Sequence, residues 1–189
     1  MSNTQGSGPR RSGQEPAAVR VAFGLGSNLG DRAGHLERGR AALRALATDL
    51  RCSRVYETAP VGAPGHPDQP DFLNLCCVGE TALGARELLE ALLAAERREG
   101  RDPEAREGPR TLDLDLLLHG DHRIAVPGLE VPHPRLADRA FVLAPLAELI
   151  PEARVPGTGR TVAELAARAG SDGIEPLGAL DDLLGEDGI

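Results

Sequence analysis

Hydrophobic residues in the first two thirds of the chain form either continuous apolar runs or leucines at helical spacing. Apolar runs bounded by glycine or proline are typical of strands, and leucines three or four residues apart are typical of helices. The predicted elements, in chain order, are a strand over 19–28, a helix over 31–50, strands over 51–60 and 71–83, a helix over 84–100 and a strand over 111–118. This β-α-β-β-α-β order predicts an α+β, ferredoxin-like fold, an antiparallel sheet with helices packed on one face.

The segments that follow are predicted to be C-terminal additions to that core. A loop and a short helix are expected within 131–153. A further helix over 161–170 begins at a capping box formed by Thr161 and Glu164. We therefore predict three parts of the chain, namely a disordered N-terminal arm at 1–18, a folded domain at 19–169 and a flexible acidic tail at 170–189.

Two acidic residues interrupt the leucine-rich strand in the stretch GPRTLDLDLLLHG. Because side chains alternate across a strand, Asp113 and Asp115 share one face, about 7 Å apart at ~3.3 Å per residue. Two carboxylates on a half-buried face repel each other unless a cation lies between them. Oxygen ligands suit Mg²⁺, which proteins bind through a few carboxylates and substrate phosphates. The strand therefore predicts a divalent-metal site, and a solvated acidic pair is the alternative.

All 21 basic residues are arginine. Without lysine the chain can form neither a Walker-type P-loop nor a lysine Schiff base, so phosphate would be held by arginine, backbone N–H groups or metal. Arg101, Arg106 and Arg110 flank glycine and proline before the acidic strand, and we expect this loop to close over phosphates. Further along, His133 lies between two prolines with Arg139 six residues later, a setting suited to a phosphate contact or a proton relay.

The net charge is unevenly distributed along the chain. The formal net charge is −8, yet six acidic residues and no basic residue lie from Gly170 onward. The near-neutral remainder argues against nucleic acid as a partner. No apolar run approaches the roughly 18 residues of a membrane span, and the N-terminal residues lack an apolar signal region. We therefore expect no membrane partner and a cytoplasmic location.

Two further motifs are interpreted as structural. The stretch GLGSNLG, which begins at Gly24, has a leucine where a dinucleotide fingerprint needs its third glycine, so we expect a tight strand-to-helix turn. Cys52, Cys76 and Cys77 include no C-x-x-C pair. We expect these cysteines to be reduced and buried, as in a cytoplasmic protein.

Five stretches of the chain resemble one enzyme family. REGPRTLDLDLL is similar to the signature of the 6-hydroxymethyl-7,8-dihydropterin pyrophosphokinases, enzymes of folate synthesis. GLGSNLGD, YETAPVG, DFLNLCC and VPHPRLADRAFVLAPLAELIP match the family in the same order, so the resemblance covers about residues 20–165. It implies a ferredoxin-like fold, transfer of pyrophosphate from ATP to the pterin's hydroxymethyl oxygen, and release of AMP.

The resemblance also implies roles for individual side chains. The implied residues are Asp113 and Asp115 for two Mg²⁺ ions; Arg110, Arg101 and His133 for catalysis; Arg110, Leu116, His133, Arg139 and Arg106 for ATP; and Thr58, Val61, Phe72, Asn74 and Phe141 for the pterin. The two phenylalanines would sandwich the flat ring, and the amide would recognise its amino-pyrimidine edge because an amide both donates and accepts hydrogen bonds. We expect a monomer whose partners are ATP and the pterin, with folate-pathway enzymes as candidate neighbours.

Two other classes of protein share part of this pattern. A two-metal nucleotidyl transferase also uses paired aspartates on a ferredoxin-like sheet, but it releases pyrophosphate instead of AMP. A non-catalytic ligand-binding module would leave the aspartates solvated and would bind ATP equally well with and without Mg²⁺. Neither class explains why two aromatic rings, an amide and several cations accompany the aspartates, so the pyrophosphokinase hypothesis is preferred.

Overall fold

The computed structural model describes residues 17–60, 69–101 and 108–185. The strands are β1 (Val19–Ser27), β2 (Thr48–Cys52), β3 (Val55–Thr58), β4 (Phe72–Thr81), β5 (Asp113–His119), β6 (Ile124–Val126), β7 (Leu129–Val131), β8 (Arg154–Val155), β9 (Arg160–Thr161) and β10 (Ile174–Gly178). The helices are α1 (Arg32–Arg44), α2 (Ala85–Arg98), α3 (Ala140–Leu149), α4 (Val162–Ala169) and α5 (Leu180–Leu184), with a 3-10 turn at Leu136–Asp138. No helix within these ranges is long and apolar enough to cross a membrane.

The element order agrees with the sequence prediction up to β5, except that the first helix is shorter. It ends at Arg44, residues 48–50 begin the extra strand β2, and the predicted strand over 51–60 is divided between the end of β2 and β3. Asp49 has a φ of 50°, a left-handed conformation that cannot continue an α-helix. Leu46, in the turn after α1, and Leu50, in β2, both pack against the core. Their spacing therefore reflects burial, which a helix would have explained equally well.

In the main sheet, β1 lies between β4 and β5, which together carry five of the predicted site residues. The strand order of this sheet is β10-β3-β4-β1-β5, and β2 also pairs with β4. The neighbours run antiparallel, and Gly26 of β1 pairs with Asn74 of β4 on one side and Asp113 of β5 on the other. The fold therefore combines helices with an antiparallel sheet, as predicted, while its ferredoxin-like class stays a prediction.

The two helices of the predicted core share one face of this sheet, as expected, and helices of the C-terminal additions cover the other face. Helices α1 and α2 pack on one face, where Leu36 and Leu92 join Phe23 of β1. Helices α3 and α4 pack on the other, where Leu143 and Leu165 join the second hydrophobic cluster. Strand β1 has buried apolar side chains on both faces, and a strand of that kind needs a layer on each side.

The acidic C-terminal segment is folded from residue 174 to residue 184, contrary to the prediction of a flexible tail. Strand β10 pairs antiparallel with β3 at one edge of the sheet. Leu180 is buried in the cluster beneath α1, and Arg40 on α1 forms an ion pair with Asp181. The prediction gave weight to the acidic charges and overlooked the apolar residues between them, which attach the segment to the domain. Most of the N-terminal arm, residues 1–16, lies outside the described residues.

Two of the three cysteines form a disulfide, contrary to the expectation that all are reduced. Cys52 of β2 and Cys77 of β4 face each other across the antiparallel pair, with Cα atoms 4.1 Å apart. Cys76 is free and buried, and it points to the opposite face, as expected for adjacent strand residues. The sequence could not show the pairing because it depends on the register between β2 and β4.

Candidate active site

A cavity of about 170 Å³ opens on the face of the sheet that α3 covers. Eight of the predicted site residues line it, namely Thr58, Phe72, Asn74, Arg110, Asp113, Asp115, Arg139 and Phe141. These residues come from β3, β4, β5, the segment before β5 and the start of α3. The fold therefore brings widely separated parts of the sequence to one pocket.

Glycines of β1 form the floor of this pocket. A Cβ atom added at Gly26 would lie 3.0 Å from Asn74 Oδ1 and 3.9 Å from Asp113 Cβ. A Cβ atom at Gly24 would lie 3.8 Å from Asp115 Cβ. A side chain at either position would occupy the space between the acidic and amide residues. These two glycines therefore belong to the strand rather than to the predicted turn, and their spacing of two in an apolar run was the available signal.

The alternation predicted for β5 is confirmed. Asp113 and Asp115 face the pocket, whereas Leu112 and Leu114 lie in the hydrophobic cluster on the other face of the sheet. Leu116 also lies in that cluster, so the structure does not bring this predicted ATP-binding residue to the pocket. The strand thus separates a charged face from an apolar face within a few residues.

Both pocket aspartates have arginine partners. Arg110 forms an ion pair with Asp113, and the Arg101 guanidinium lies 3.4 Å from the same carboxylate. Arg139 donates a hydrogen bond of 3.0 Å to Asp115 Oδ2. Burial, and then the negative charge of Asp113, raise the pKa of Asp115. The direction of this shift indicates that the charge of Asp115 is incompletely compensated, which favours a further cation beside it.

His133 lies beside Asp115 as a neutral hydrogen-bond donor. The backbone N–H of Arg135 donates to His133 Nδ1 at 3.2 Å, which assigns the ring hydrogen to Nε2. That Nε2 is 3.8 Å from Asp115 Oδ2. Burial lowers the pKa of His133, which favours the neutral ring. A second bond, from the backbone N–H of His133 to the carbonyl of Leu117 at 3.0 Å, fixes this loop to β5.

Arg101 is held near the aspartates by a buried carboxylate. Glu96 on α2 is fully buried, and its Oε1 accepts hydrogen bonds from the Leu114 N–H, at 2.8 Å, and from Arg101. Glu96 Oε2 has no partner among the described residues. Burial raises the pKa of Glu96 to about 7. This carboxylate therefore connects α2, Arg101 and β5.

The end of the pocket formed by β3 and β4, which lies across β1 from the aspartates of β5, is aromatic and neutral. Phe72 and Phe141 line it, and the Arg139 guanidinium carbon lies 5.5 Å from the centre of the Phe141 ring. Asn74 Nδ2 donates to Thr58 Oγ1 at 2.8 Å across the β3–β4 pair. This bond orients the amide, so that its Oδ1 is directed toward Gly26 at the pocket floor.

The remaining predicted site residues, Val61 and Arg106, lie outside the described residues. The sequence reasoning missed Gln69 and Arg135, whose polar side chains also line the pocket. Gln69 precedes β4, and its Oε1 accepts a hydrogen bond from Asn28 Nδ2 at 3.2 Å. Arg135 follows the predicted His133 by two residues, and its place in the same motif was the only signal in the sequence.

Comparison with known proteins points to one family. Residues 22–151 match the family described as 7,8-dihydro-6-hydroxymethylpterin-pyrophosphokinase (HPPK). The chain is 41% identical over 160 residues to the 2-amino-4-hydroxy-6-hydroxymethyldihydropteridine pyrophosphokinase of Pseudomonas aeruginosa, a match that covers 84% of this chain and 96% of that protein. It is 38% identical over 160 residues to the protein of the same name from Synechocystis, with 83% of this chain and 80% of that protein covered.

Solved structures give the same fold. The wild-type HPPK-DHPS of Plasmodium falciparum with pterin and p-hydroxybenzoate matches with a TM-score of 0.64 and 15% identity, covering 83% of this chain and 42% of that chain. This chain therefore spans less than half of that larger protein. From the family match and the two bacterial relatives, we conclude that the chain belongs to the HPPK family and is a pyrophosphokinase of folate biosynthesis.

Proposed function

We propose that the chain transfers the terminal pyrophosphoryl group of ATP to 6-hydroxymethyl-7,8-dihydropterin, giving the pterin diphosphate and AMP. The observation that carries this proposal is the division of a single pocket into two ends. One end holds paired carboxylates surrounded by arginines, and the other holds two aromatic rings and an oriented amide. A polyphosphate and a flat heterocycle would meet where the two ends join.

The donor set fits two Mg²⁺ ions at Asp113 and Asp115. Both side chains present carboxylate oxygens to the same pocket, and hard oxygen ligands are those that Mg²⁺ prefers. Within the described ranges no group of three or more His, Cys, Asp or Glu side chains could hold a metal. The other ligands would therefore be phosphate oxygens and water, as is usual for Mg²⁺. Bound there, the ions would neutralise phosphate charge and lower the pKa of the attacking hydroxyl.

The cations around the aspartates would hold the phosphates. Arg110 and Arg139 are paired with the carboxylates, and Arg101 is held beside them by Glu96. Guanidinium groups bind phosphate oxygens through paired hydrogen bonds, which fixes orientation as well as charge. His133 would add a neutral donor through Nε2. In-line transfer depends mainly on such positioning, because the protein forms no bond to the phosphorus.

The aromatic end would hold the pterin. Phe72 and Phe141 supply two ring faces, and aromatic rings favour stacked or edge-to-face contacts with flat partners. Asn74 would bond the pyrimidine edge through its carbonyl, because its amide nitrogen already donates to Thr58. Cys76 lies on the pocket floor as a neutral thiol, since burial raises its pKa far above the usual value. A direct transfer from ATP to the pterin hydroxyl is therefore favoured over a thiol-linked intermediate.

Product analysis tests this proposal. The protein is incubated with ATP, Mg²⁺ and the pterin, and the products are separated and identified by ³¹P nuclear magnetic resonance. We expect AMP and the pterin diphosphate in equal amounts, and no AMP when the pterin is omitted. Release of pyrophosphate would instead indicate a nucleotidyl transferase. ATP binding that is independent of Mg²⁺, without turnover, would indicate a non-catalytic module.

A further inference from the structure

We infer that Arg135 is an additional phosphate-binding residue of this pocket and contacts the polyphosphate of the nucleotide. This inference rests on the proposed function, because it assigns a residue to the same site. Arg135 lines the pocket together with Asp115 and Arg139. It immediately precedes the 3-10 turn at Leu136–Asp138, in the loop between β7 and α3, and is exposed at the pocket rim.

The charge balance of the site distinguishes Arg135 from the other cations. Arg110, Arg139 and Arg101 each form an ion pair with a carboxylate of the site. In contrast, the Arg135 guanidinium makes no hydrogen bond or ion pair to any residue in 17–60, 69–101 or 108–185, although its backbone N–H bonds His133. An arginine that points into a pocket without an anionic partner attracts an anionic ligand. It can bind that ligand without first releasing a carboxylate of the protein.

The backbone that carries Arg135 is fixed on both sides. Its N–H donates to His133 Nδ1 at 3.2 Å, and its carbonyl accepts from the Asp138 N–H at 3.3 Å. The next residue, Leu136, is 1% exposed and packs in the hydrophobic cluster beneath α3. The side chain of Arg135 therefore extends from an anchored backbone at the pocket rim.

The electrostatic surroundings agree with this position. Arg135 lines the pocket together with Asp115 and Arg139, and its backbone N–H bonds the His133 ring. His133, Arg135 and Arg139 therefore form a short edge of hydrogen-bond donors on one side of Asp115.

The inference is tested by binding measurements that do not require turnover. Calorimetry gives the Kd of Mg–ATP and of inorganic tripolyphosphate for the parent protein and for Arg135→Ala. We expect both ligands to bind about tenfold more weakly to the variant, the loss of one charge-assisted hydrogen-bonding group at an exposed site. The Kd of the pterin should stay within twofold of the parent value, because Arg135 is not placed at the aromatic end.

Two further variants exclude a structural or nonspecific effect. Arg168→Ala removes an exposed arginine from α4, away from the pocket, and should leave all three Kd values unchanged. Arg135→Lys keeps the charge and should recover part of the tripolyphosphate binding, with a stronger dependence on salt than Arg135→Ala. The melting temperatures of the variants should match that of the parent, since the side chain is exposed.

The outcomes separate this inference from the proposed function. Tripolyphosphate and Mg–ATP binding by Arg135→Ala within twofold of the parent would overturn the inference, even if the parent produces AMP. The same holds if the parent does not bind tripolyphosphate at all. Weaker polyphosphate binding by Arg135→Ala would support the inference even if product analysis shows a different reaction.

Discussion

Asp113 and Asp115 show how two acidic residues in a leucine-rich strand change what the strand can bind. Strand β5 would be an ordinary buried strand if leucines stood at both positions. The carboxylates instead turn one face into a charged surface, and the pKa of Asp115 rises because burial and Asp113 disfavour its charge. Arg139 compensates part of that cost through a hydrogen bond of 3.0 Å. The remaining imbalance is what a bound cation would relieve.

Glu96 gives a pH-dependent prediction at the same scale. Its pKa is raised to about 7 by burial, so the folded protein binds its proton more tightly than the unfolded chain. Between the unfolded and folded pKa values, stability must therefore fall as pH rises. We expect the parent to lose about 2 kcal/mol of unfolding free energy relative to Glu96→Gln between pH 5 and pH 8.

Urea denaturation of both proteins at several pH values measures this difference. Glutamine can keep the acceptor for the Leu114 N–H, so the variant should fold. Glu90 is exposed on the same helix, so Glu90→Gln serves as a control that should leave the pH profile unchanged. A constant difference between the parent and Glu96→Gln over this pH range would show that Glu96 is not a perturbed group.

At the scale of elements, α1 holds the aromatic end of the pocket together through Arg32. Its Nη1 donates to Glu57 Oε1 at 2.8 Å and to the carbonyl of Asp71 at 2.7 Å. Glu57 immediately precedes Thr58, and Asp71 immediately precedes Phe72. One arginine near the start of α1 therefore fixes the ends of the two strands that present the proposed pterin contacts.

Replacing Arg32 should weaken pterin binding selectively. We expect Arg32→Gln to raise the Kd of the pterin about fivefold, since a partly exposed charged contact contributes modestly, and to leave the Kd of Mg–ATP unchanged. Fluorescence titration with the pterin and calorimetry with Mg–ATP measure the two effects. Arg44→Gln is a matched control on the same helix, where Arg44 pairs with Glu37. An equal loss of both ligands would indicate general damage to the fold.

Sequence reasoning predicted those features that depend on local periodicity. The alternation of Asp113 and Leu114 and the capping box at Thr161 both follow from spacing within one element. It failed where the outcome depends on a partner far away in sequence. The end of α1 and the Cys52–Cys77 disulfide depend on register within the sheet, which a single sequence does not contain.

For the whole molecule, the C-terminal segment completes the sheet and the core. Strand β10 covers the edge at β3, and α5 packs on α1 through Leu180 and the Arg40–Asp181 ion pair. An unpaired strand at that edge would be exposed to association with other chains.

Leucine substitutions measure how firmly this segment belongs to the fold. Leu180 is 2% exposed and Leu184 is 36% exposed, so the two residues form a matched pair within α5. We expect Leu180→Ala to lower the free energy of unfolding by about 3 kcal/mol and Leu184→Ala by less than about 1 kcal/mol. Chemical denaturation measures both values. Equal, small effects would mean that the segment is not part of the stable core.

The most direct test of the proposed metal-binding pocket is a count of bound ions. Mn²⁺ replaces Mg²⁺, and electron paramagnetic resonance gives the number of ions bound per chain in the presence of the pterin and a non-hydrolysable ATP analogue. We expect two ions per chain for the parent and fewer for Asp115→Asn, because that variant loses one carboxylate charge of the pair. A single ion in the parent, or an unchanged count in Asp115→Asn, would contradict the assignment of Asp113 and Asp115 as the shared site.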